Sequence, residues 1–340
     1  MTNVAAPALP ARGELLLRAS RHALAPVFAR ELDRRGLLGA DRPLVALASG
    51  GGDSTALLIL LAAVRERRDA LGSVHVLALD HGLRPAAAGE TAHAIAIARH
   101  LGFGSAERAP CPVEEGNTLD RARAARIERA FARCAETGAR HVLLGHQADD
   151  RAESILLALS RGGGAEGLAG LAPTRMMQAS SGATVEFVRP LLAARREELR
   201  EFLRDMQVPW CDDPSNALRT RGSMREAPAV AALLDRIAAA SGDFGDELLA
   251  LLALRDERLA ALAPAGAVEA PRAAVDALPE GLRPALLRRL VHAAGGDCSR
   301  ATLDAALRNL RDGERAPRRF ACARGVELEI DARGVRAVTR

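Results

Sequence analysis

Short apolar runs alternate with longer stretches of helical spacing along the first two thirds of the chain. The runs at 44–48, 74–80, 141–145 and 185–189 contain β-branched residues, as buried strands do. Apolar residues recur every three or four positions over four intervening stretches, 54–70, 87–101, 119–137 and 149–160. This alternation predicts βαβ units and an α/β fold, with a doubly wound parallel sheet that carries helices on both faces.

The pattern changes after a further amphipathic helix predicted over 195–206. Residues 212–225 are polar, and from residue 228 the chain is rich in alanine and leucine at helical spacing. The alternating residues at 323–340 predict a β-hairpin. We therefore expect two domains, an α/β domain over 1–217 and a smaller, mainly helical domain over 218–340 that ends in the hairpin.

Composition restricts the chemistry available to these domains. The 340 residues include 47 basic side chains, all of them arginine, so a Schiff-base lysine or a P-loop lysine is impossible. Five widely spaced cysteines form no C-x-x-C pair, which argues against a structural zinc site, an iron–sulfur cluster and a disulfide framework. A net charge of +4 permits nucleic-acid binding. With no long apolar run and no signal-like start, we expect a cytoplasmic protein that does not enter membranes.

The first candidate site is the sequence SGGGDS at 49–54, where the first predicted strand ends and a helix begins. Glycines there allow a tight turn, and the helix N-terminus offers unpaired N–H groups to an anion. The loop matches neither the P-loop pattern nor G-x-G-x-x-G, and a plain glycine-rich turn is the alternative. Phosphate binding is favoured, and Asp53 would need a cation such as Mg²⁺ between itself and phosphate.

A second candidate site begins a helix that follows the strand at 141–145. Asp150 and Glu153 are three residues apart, so both lie on one face with Asp149 beside them. His146 stands just before, at the strand end where α/β sheets bind ligands. Carboxylates in a first helical turn also stabilise the helix dipole by about 0.3–1 kcal/mol each, which is the structural alternative. Because the carboxylates lie beside His146 at the ligand-binding edge of the sheet, a cation site is favoured over helix capping alone.

The loop SGGGDS resembles the pyrophosphate loop of the N-type ATP pyrophosphatases, which cleave ATP between the α- and β-phosphates. Further segments resemble one family of that group, the tRNA(Ile)-lysidine synthetases, in order and spacing. They are ALDHGLR at 78–84, LLGHQADDRAES at 143–154, LSRGGGAEGLAGL at 159–171, RPLL at 189–192 and DDPSN at 212–216. The resemblance covers residues 40–225 and makes 1–217 the expected ATP pyrophosphatase domain.

The resemblance implies a ligase that uses ATP and Mg²⁺ to adenylate the wobble cytidine of tRNA(Ile) with a CAU anticodon. Free L-lysine then displaces AMP. It implies that Asp150 and Glu153 face the lysine, and that His146 orients lysine or phosphate. It also implies that Asp53 and Asp149 lie beside the metal and the pyrophosphate. ATP would be held by the residues of the loop, Ser49, Gly50, Gly51, Gly52, Asp53 and Ser54.

Several polar side chains are candidates for tRNA or phosphate contact through the same resemblance. Arg123 and Arg126 match an R-x-x-R pattern of the family, although a solvated helix face explains them equally well. Asn216 is the last residue of the DDPSN segment, and Arg189, Arg221 and Arg225 surround that segment. The domain over 218–340 is expected to contact tRNA. The sequence makes no prediction of oligomeric state.

The chain departs from the family pattern within the second site. Gln147 replaces a histidine, and Arg151 replaces a glutamine, which brings a positive charge beside the proposed ammonium site. Two other functions are therefore kept. A tRNA cytidine thiolase shares the loop but usually carries C-x-x-C cysteines, and a tRNA-binding relative without catalysis would bind ATP without turnover.

Overall fold

The computed structural model describes residues 9–39, 42–68, 71–80, 87–110, 118–161, 165–179, 182–211, 228–313 and 315–339. The chain divides into two compact units, Met1–Asp246 and Glu247–Arg340. The predicted boundary at residue 217 lies outside the described residues and stays a prediction. Within the described ranges, no helix is both long enough and apolar enough to cross a membrane.

The first unit is built on a six-stranded sheet with the spatial order β3-β2-β1-β4-β6-β5. All neighbouring strands are parallel except β5, which runs antiparallel to β6 at the edge. The α/β fold with a mainly parallel sheet is confirmed. The strands are β1 (Leu44–Ala48), β2 (Val74–Asp80), β3 (Ser105–Pro110), β4 (His141–Leu143), β5 (Thr174–Gln178) and β6 (Thr184–Val188).

Helices cover both faces of this sheet because β1 is apolar on both sides. Leu44 and Ala46 pack into one core cluster, whereas Val45 and Leu47 pack into a second on the opposite face. The helices of this unit are α1 (Arg12–Arg21), α2 (Leu24–Asp33), α3 (Gly52–Arg68), α4 (Ala87–His100), α5 (Thr118–Thr137), α6 (Ala148–Ser160), α7 (Ala165–Leu168) and α8 (Arg196–Asp205).

The strand order changes direction between β1 and β4. From β1 the chain continues outward to β2 and β3 on one side, and β4 then pairs with the other side of β1. Loops after the two central strands diverge at such a point and leave a crevice at the carboxyl edge of the sheet. The glycine loop follows β1 and the acidic helix α6 follows β4, so both candidate sites lie at this crevice.

The long helix α9 covers Pro228–Leu262, and the two units divide within it. The second unit contains an antiparallel sheet with the order β7-β10-β9-β8. Its hairpin, β9 with β10, lies where alternation predicted one, but two further short strands extend it. The strands are β7 (Glu269–Pro271), β8 (Arg318–Ala321), β9 (Val326–Ile330) and β10 (Gly334–Thr339), and the helices are α10 (Arg272–Ala277), α11 (Arg283–Ala293) and α12 (Arg300–Arg311).

Candidate active site

The glycine loop makes a turn that only glycine accommodates well. Gly50 has φ +83°, and a Cβ atom there would lie 2.4 Å from the carbonyl oxygen of Glu90. An L-residue is strained in this conformation, and the clash is with backbone, which cannot rotate away. The first glycine of the loop is therefore required by its packing against α4.

The serine side chains hold the loop in shape. The Ser49 and Ser54 hydroxyls lie 3.2 Å apart, and the Ser54 hydroxyl donates to the Gly51 carbonyl at 2.9 Å. The backbone N–H of Cys211 donates to the Gly50 carbonyl at 2.9 Å and fixes the other side. These hydrogen bonds therefore give the loop a defined shape directly before the N-terminus of α3.

The segment after β4 contacts the start of α3. A Cβ atom on Gly145 would lie 3.1 Å from both the Asp53 carbonyl carbon and the Ser54 backbone nitrogen. Such close approach of two backbones is possible because residue 145 is glycine. It brings the acidic N-terminus of α6 next to the glycine loop, as the positions of the two segments in the sheet require.

Gln147 caps α6, which gives this departure from the family pattern a structural role. Its side-chain oxygen accepts from the backbone N–H groups of Asp149 and Asp150. In return, the backbone N–H of Gln147 donates to Oδ2 of Asp150 at 3.2 Å. This reciprocal pair is a capping box, and it occupies one carboxylate oxygen of Asp150.

Two arginines at the start of α8 bind the predicted carboxylates. Arg195 donates to Asp149 through Nε at 3.2 Å and through Nη2 at 2.9 Å. The Arg196 backbone N–H donates to Oδ2 of Asp149 at 2.8 Å. The Arg196 guanidinium bridges Oδ1 of Asp150 at 3.2 Å and Oε1 of Glu153 at 3.3 Å. The acidic face of α6 is therefore held by cations from a neighbouring helix.

Sequence reasoning missed both arginines, although one signal was present. Arg195 is the N-cap residue of α8 and Arg196 its first residue, a position where a positive charge opposes the helix dipole. Two cations at that position indicate carboxylates nearby. Glu153, which is 1% exposed, could not be buried as an anion without such a partner.

The pKa values of Asp53 and Asp149 are shifted in opposite directions at this site. Burial and the neighbouring Asp150 raise the pKa of Asp53 to about 6, although Arg196 partly offsets the rise. Burial would also raise the pKa of Asp149, but the hydrogen bonds from Arg195 and Arg196 outweigh it and lower the value. The surroundings therefore stabilise the anionic form of Asp53 less than that of Asp149.

The Arg151 side chain is buried and contacts groups on α9 and after α7. Its side chain is 2% exposed, and Nη2 contacts Oδ1 of Asp246 at 3.0 Å. Its Nε donates to the Ala169 carbonyl at 3.4 Å. Arg151 therefore joins α6 to α9 and to the residue that directly follows α7.

The remaining candidates are distributed more widely. His146 is half-buried between β4 and α6, and Arg126 is exposed on α5. Arg189 is buried, and its Nη1 donates to the Ala172 carbonyl at 2.7 Å. Four predicted tRNA contacts lie outside the described residues: the Arg123 side chain, Asn216, Arg221 and Arg225. The roles of all these residues stay predictions.

A doubly wound sheet with a glycine loop at its crevice defines an α/β nucleotide-binding domain. Residues 24–227 match the PP-loop domain family, and the chain belongs to that family.

Curated relatives confirm the resemblance seen in the motifs. The chain is 39% identical over 184 residues to a tRNA(Ile)-lysidine synthase of Ruegeria pomeroyi, covering 52% of this chain and 40% of the relative. It is 35% identical over 241 residues to a tRNA(Ile)-lysidine synthase of a Bradyrhizobium species, covering 68% of this chain and 63% of the relative. The chain therefore spans between 40% and 63% of the length of these two relatives.

Among solved structures, the U34-tRNA thiolase NcsA of Methanococcus maripaludis, with its [4Fe-4S] cluster, has a similar fold. The TM-score is 0.50 at 13% identity, covering 66% of this chain and 78% of the thiolase. At this identity the likeness concerns the fold alone.

Proposed function

We propose that this chain is an ATP-dependent ligase that modifies tRNA(Ile) carrying a CAU anticodon. It would adenylate the wobble cytidine and join free L-lysine to form lysidine, releasing AMP and pyrophosphate. The observation that carries the proposal is the acidic start of α6 beside the glycine loop, since one site needs phosphate donors and a cation pocket together. The names of the curated relatives support the choice of substrates.

ATP would lie over the glycine loop with its phosphates toward α3. The N-terminus of α3 presents N–H groups and a partial positive charge, which suits the departing pyrophosphate. Ser49 and Ser54 hydrogen-bond each other across the loop, so their hydroxyls are placed to turn toward phosphate oxygens. Fixed donors of this kind stabilise negative charge as it develops, without reorganising during the reaction.

Mg²⁺ fits Asp53 better than it fits Asp149. Asp53 is half-buried with a raised pKa, and a divalent cation would favour its ionised form. Asp149 already accepts three hydrogen bonds, from Arg195 and from the Arg196 N–H, and would have to exchange them. When bound, the metal would neutralise the charge on the phosphate oxygens.

Lysine would be positioned by Asp150 and Glu153. Each already gives one oxygen to Arg196, and Asp150 gives its second to the cap of α6. An incoming ammonium group would therefore share these carboxylates with Arg196 or take its place. His146 lies at the same sheet edge, where it would orient the substrate. On this proposal, Arg196 would help to determine how tightly lysine is held.

The tRNA would approach with contacts from outside this site. We assign Arg126 on α5, with Arg123, Arg189, Asn216, Arg221 and Arg225, to that role, together with the second unit. The reaction would take place in the cytoplasm, where ATP, lysine and tRNA occur together.

The test is incorporation of labelled lysine into transcripts of tRNA(Ile) with a CAU anticodon, with AMP release followed in parallel. Incorporation should equal AMP release and should disappear when the wobble cytidine is replaced by uridine. AMP formation that depends on tRNA but not on lysine would point to a thiolase or another nucleophile. ATP binding without turnover on any tRNA would point to a binding protein without catalysis.

A further inference from the structure

Two cysteines that are distant in sequence face each other in the second unit. An antiparallel bridge pairs Asp297 with Ala323, and the Ala323 N–H donates to the Asp297 carbonyl at 2.7 Å. This bridge is isolated, and continuing its antiparallel register by one residue places Cys298 opposite Cys322. Residues directly opposed in antiparallel pairing have Cα atoms about 4.5–5.5 Å apart. A disulfide accepts Cα separations of about 4.4–6.8 Å, so one fits this register.

The side chains are also placed to react. Each thiol lies close enough to the other to influence its pKa. Cys298 is buried in the core of the unit, and Cys322 is half-buried against the same core. The sulfur of Cys298 also points to the Ser299 carbonyl at 3.7 Å and that of Cys322 to the Phe320 carbonyl at 3.7 Å.

We propose that Cys298 and Cys322 form a reversible redox site that exchanges with low-molecular-weight disulfides such as oxidised glutathione. The thiolate of one cysteine attacks the disulfide, forms a mixed disulfide and releases one thiol. The second cysteine then attacks the protein sulfur of that mixed disulfide and releases the other thiol. Two protein thiols are oxidised, one external disulfide is reduced to two thiols, and the two protons pass to the released thiols.

The surroundings assign the two steps to different cysteines. Burial raises the pKa of both thiols, that of Cys298 to about 12. The hydrogen bond with Cys298 partly offsets the rise for Cys322, which is also the more accessible of the two. Cys322 is therefore the attacking thiol and Cys298 the resolving one. Because little thiolate exists at neutral pH, the exchange should be slow there and faster at pH 9.

Oxidation would fasten the beginning of α12 to the end of β8. The two are already joined because the Thr302 hydroxyl donates to the Ala321 carbonyl at 3.2 Å. The residues between the cysteines contain all of α12 and β8. A covalent link there restricts the unfolded chain over that whole segment, so the oxidised unit should unfold at a higher temperature.

The experiment equilibrates the full chain in glutathione buffers of increasing oxidised fraction, at pH 8 and pH 9. Remaining thiols are then alkylated and the chain is digested with trypsin. Cleavage after arginine gives LVHAAGGDCSR for 290–300 and FACAR for 320–324. We expect these peptides joined by one disulfide, with the mass of both reduced peptides minus two hydrogens. The link should form in the folded chain at a ratio of oxidised to reduced glutathione that is at least about tenfold lower than the ratio needed in the denatured chain.

Controls separate this pair from general thiol oxidation. Cys298→Ser and Cys322→Ser should each abolish the link and the rise in unfolding temperature, whereas Cys134→Ser, at a buried cysteine of the first unit, should change neither. If both cysteines in the folded chain are alkylated throughout, or carry only glutathione, the proposal is wrong. Formation of the link at the same ratio in folded and denatured chain would overturn it as well. Neither result depends on ATP or tRNA.

Discussion

Replacing Asp53 by asparagine should stabilise the ligand-free protein, although it removes a proposed active-site residue. The pKa of Asp53 is raised from 3.8 to about 6, first by burial and then by Asp150. The folded protein therefore binds this proton more tightly than the unfolded chain does. Stability from this group is present below about pH 4 and is lost as pH rises to about 6. Asparagine has no charge to bury, so it avoids the loss.

The expected size follows from the same values. The difference between 3.8 and about 6 corresponds to roughly 3 kcal/mol as an upper bound. Because Asp53 is half-buried and solvent screens it, we expect about 1–2 kcal/mol at pH 8. For a unit of this size, that free energy raises the unfolding temperature by about 2–8 °C.

The assay is thermal unfolding of wild type and Asp53→Asn between pH 4 and pH 8 without nucleotide. The variants should coincide near pH 4 and separate as pH rises. Asp149→Asn is the matched control, since the arginine hydrogen bonds lower the pKa of Asp149 and its ionised form stabilises the fold. That variant should be less stable than wild type at pH 8. A pH-independent difference, or a loss of stability in Asp53→Asn like that in Asp149→Asn, would refute the reasoning.

Three further predictions concern neighbouring residues. Gly50→Ala should lower ATP affinity by at least about tenfold, because the added Cβ strains the turn and meets the Glu90 carbonyl. Calorimetry measures this affinity, and an unchanged value would show that the turn tolerates a side chain. Arg196→Met should lower the free energy of unfolding in urea by about 2–4 kcal/mol, since it removes the cation that pairs with buried Glu153. Arg195→Met should lower it by about 1 kcal/mol. Equal losses for the two variants would contradict this reasoning. Arg151→Gln should lower the free energy of unfolding by about 1–3 kcal/mol, because buried hydrogen bonds are lost. The same variant should leave the KM for lysine within about twofold, and a large change in KM would mean that Arg151 contacts the substrate.

The central strands could be predicted from sequence because their apolar runs are buried on both faces. β1 and β2 begin and end where the runs do. β3 reads SAERAP and was hardly recognisable, because at the sheet edge its Arg108 pairs with Asp80 instead of packing in a core. The exposed edge strand β5 and the helices α1 and α2 were not predicted. Edge strands carry weak alternation since only part of their surface is covered.

The candidate site also contains one part that could be predicted from sequence and one part that could not. The glycine loop was predicted because its chemistry is contained in six consecutive residues. The pairing of Arg195 and Arg196 with Asp149, Asp150 and Glu153 was not predicted, since it joins helices more than forty positions apart. Local spacing places residues on one helix face. Which other helix covers that face depends on tertiary packing.

The pairing of β1 with β4 has a consequence for how the molecule becomes functional. During synthesis the glycine loop leaves the ribosome long before α6, and α8 follows later still. Pairing two parallel strands so far apart requires closing a long loop before any contact offsets the entropy. The glycine loop is joined by the acidic face of α6 only when α6 and α8 dock on the sheet. A nascent chain that ends before Arg196 therefore contains the glycine loop without the arginines that neutralise the acidic helix, and the complete candidate site forms only after α8 has folded.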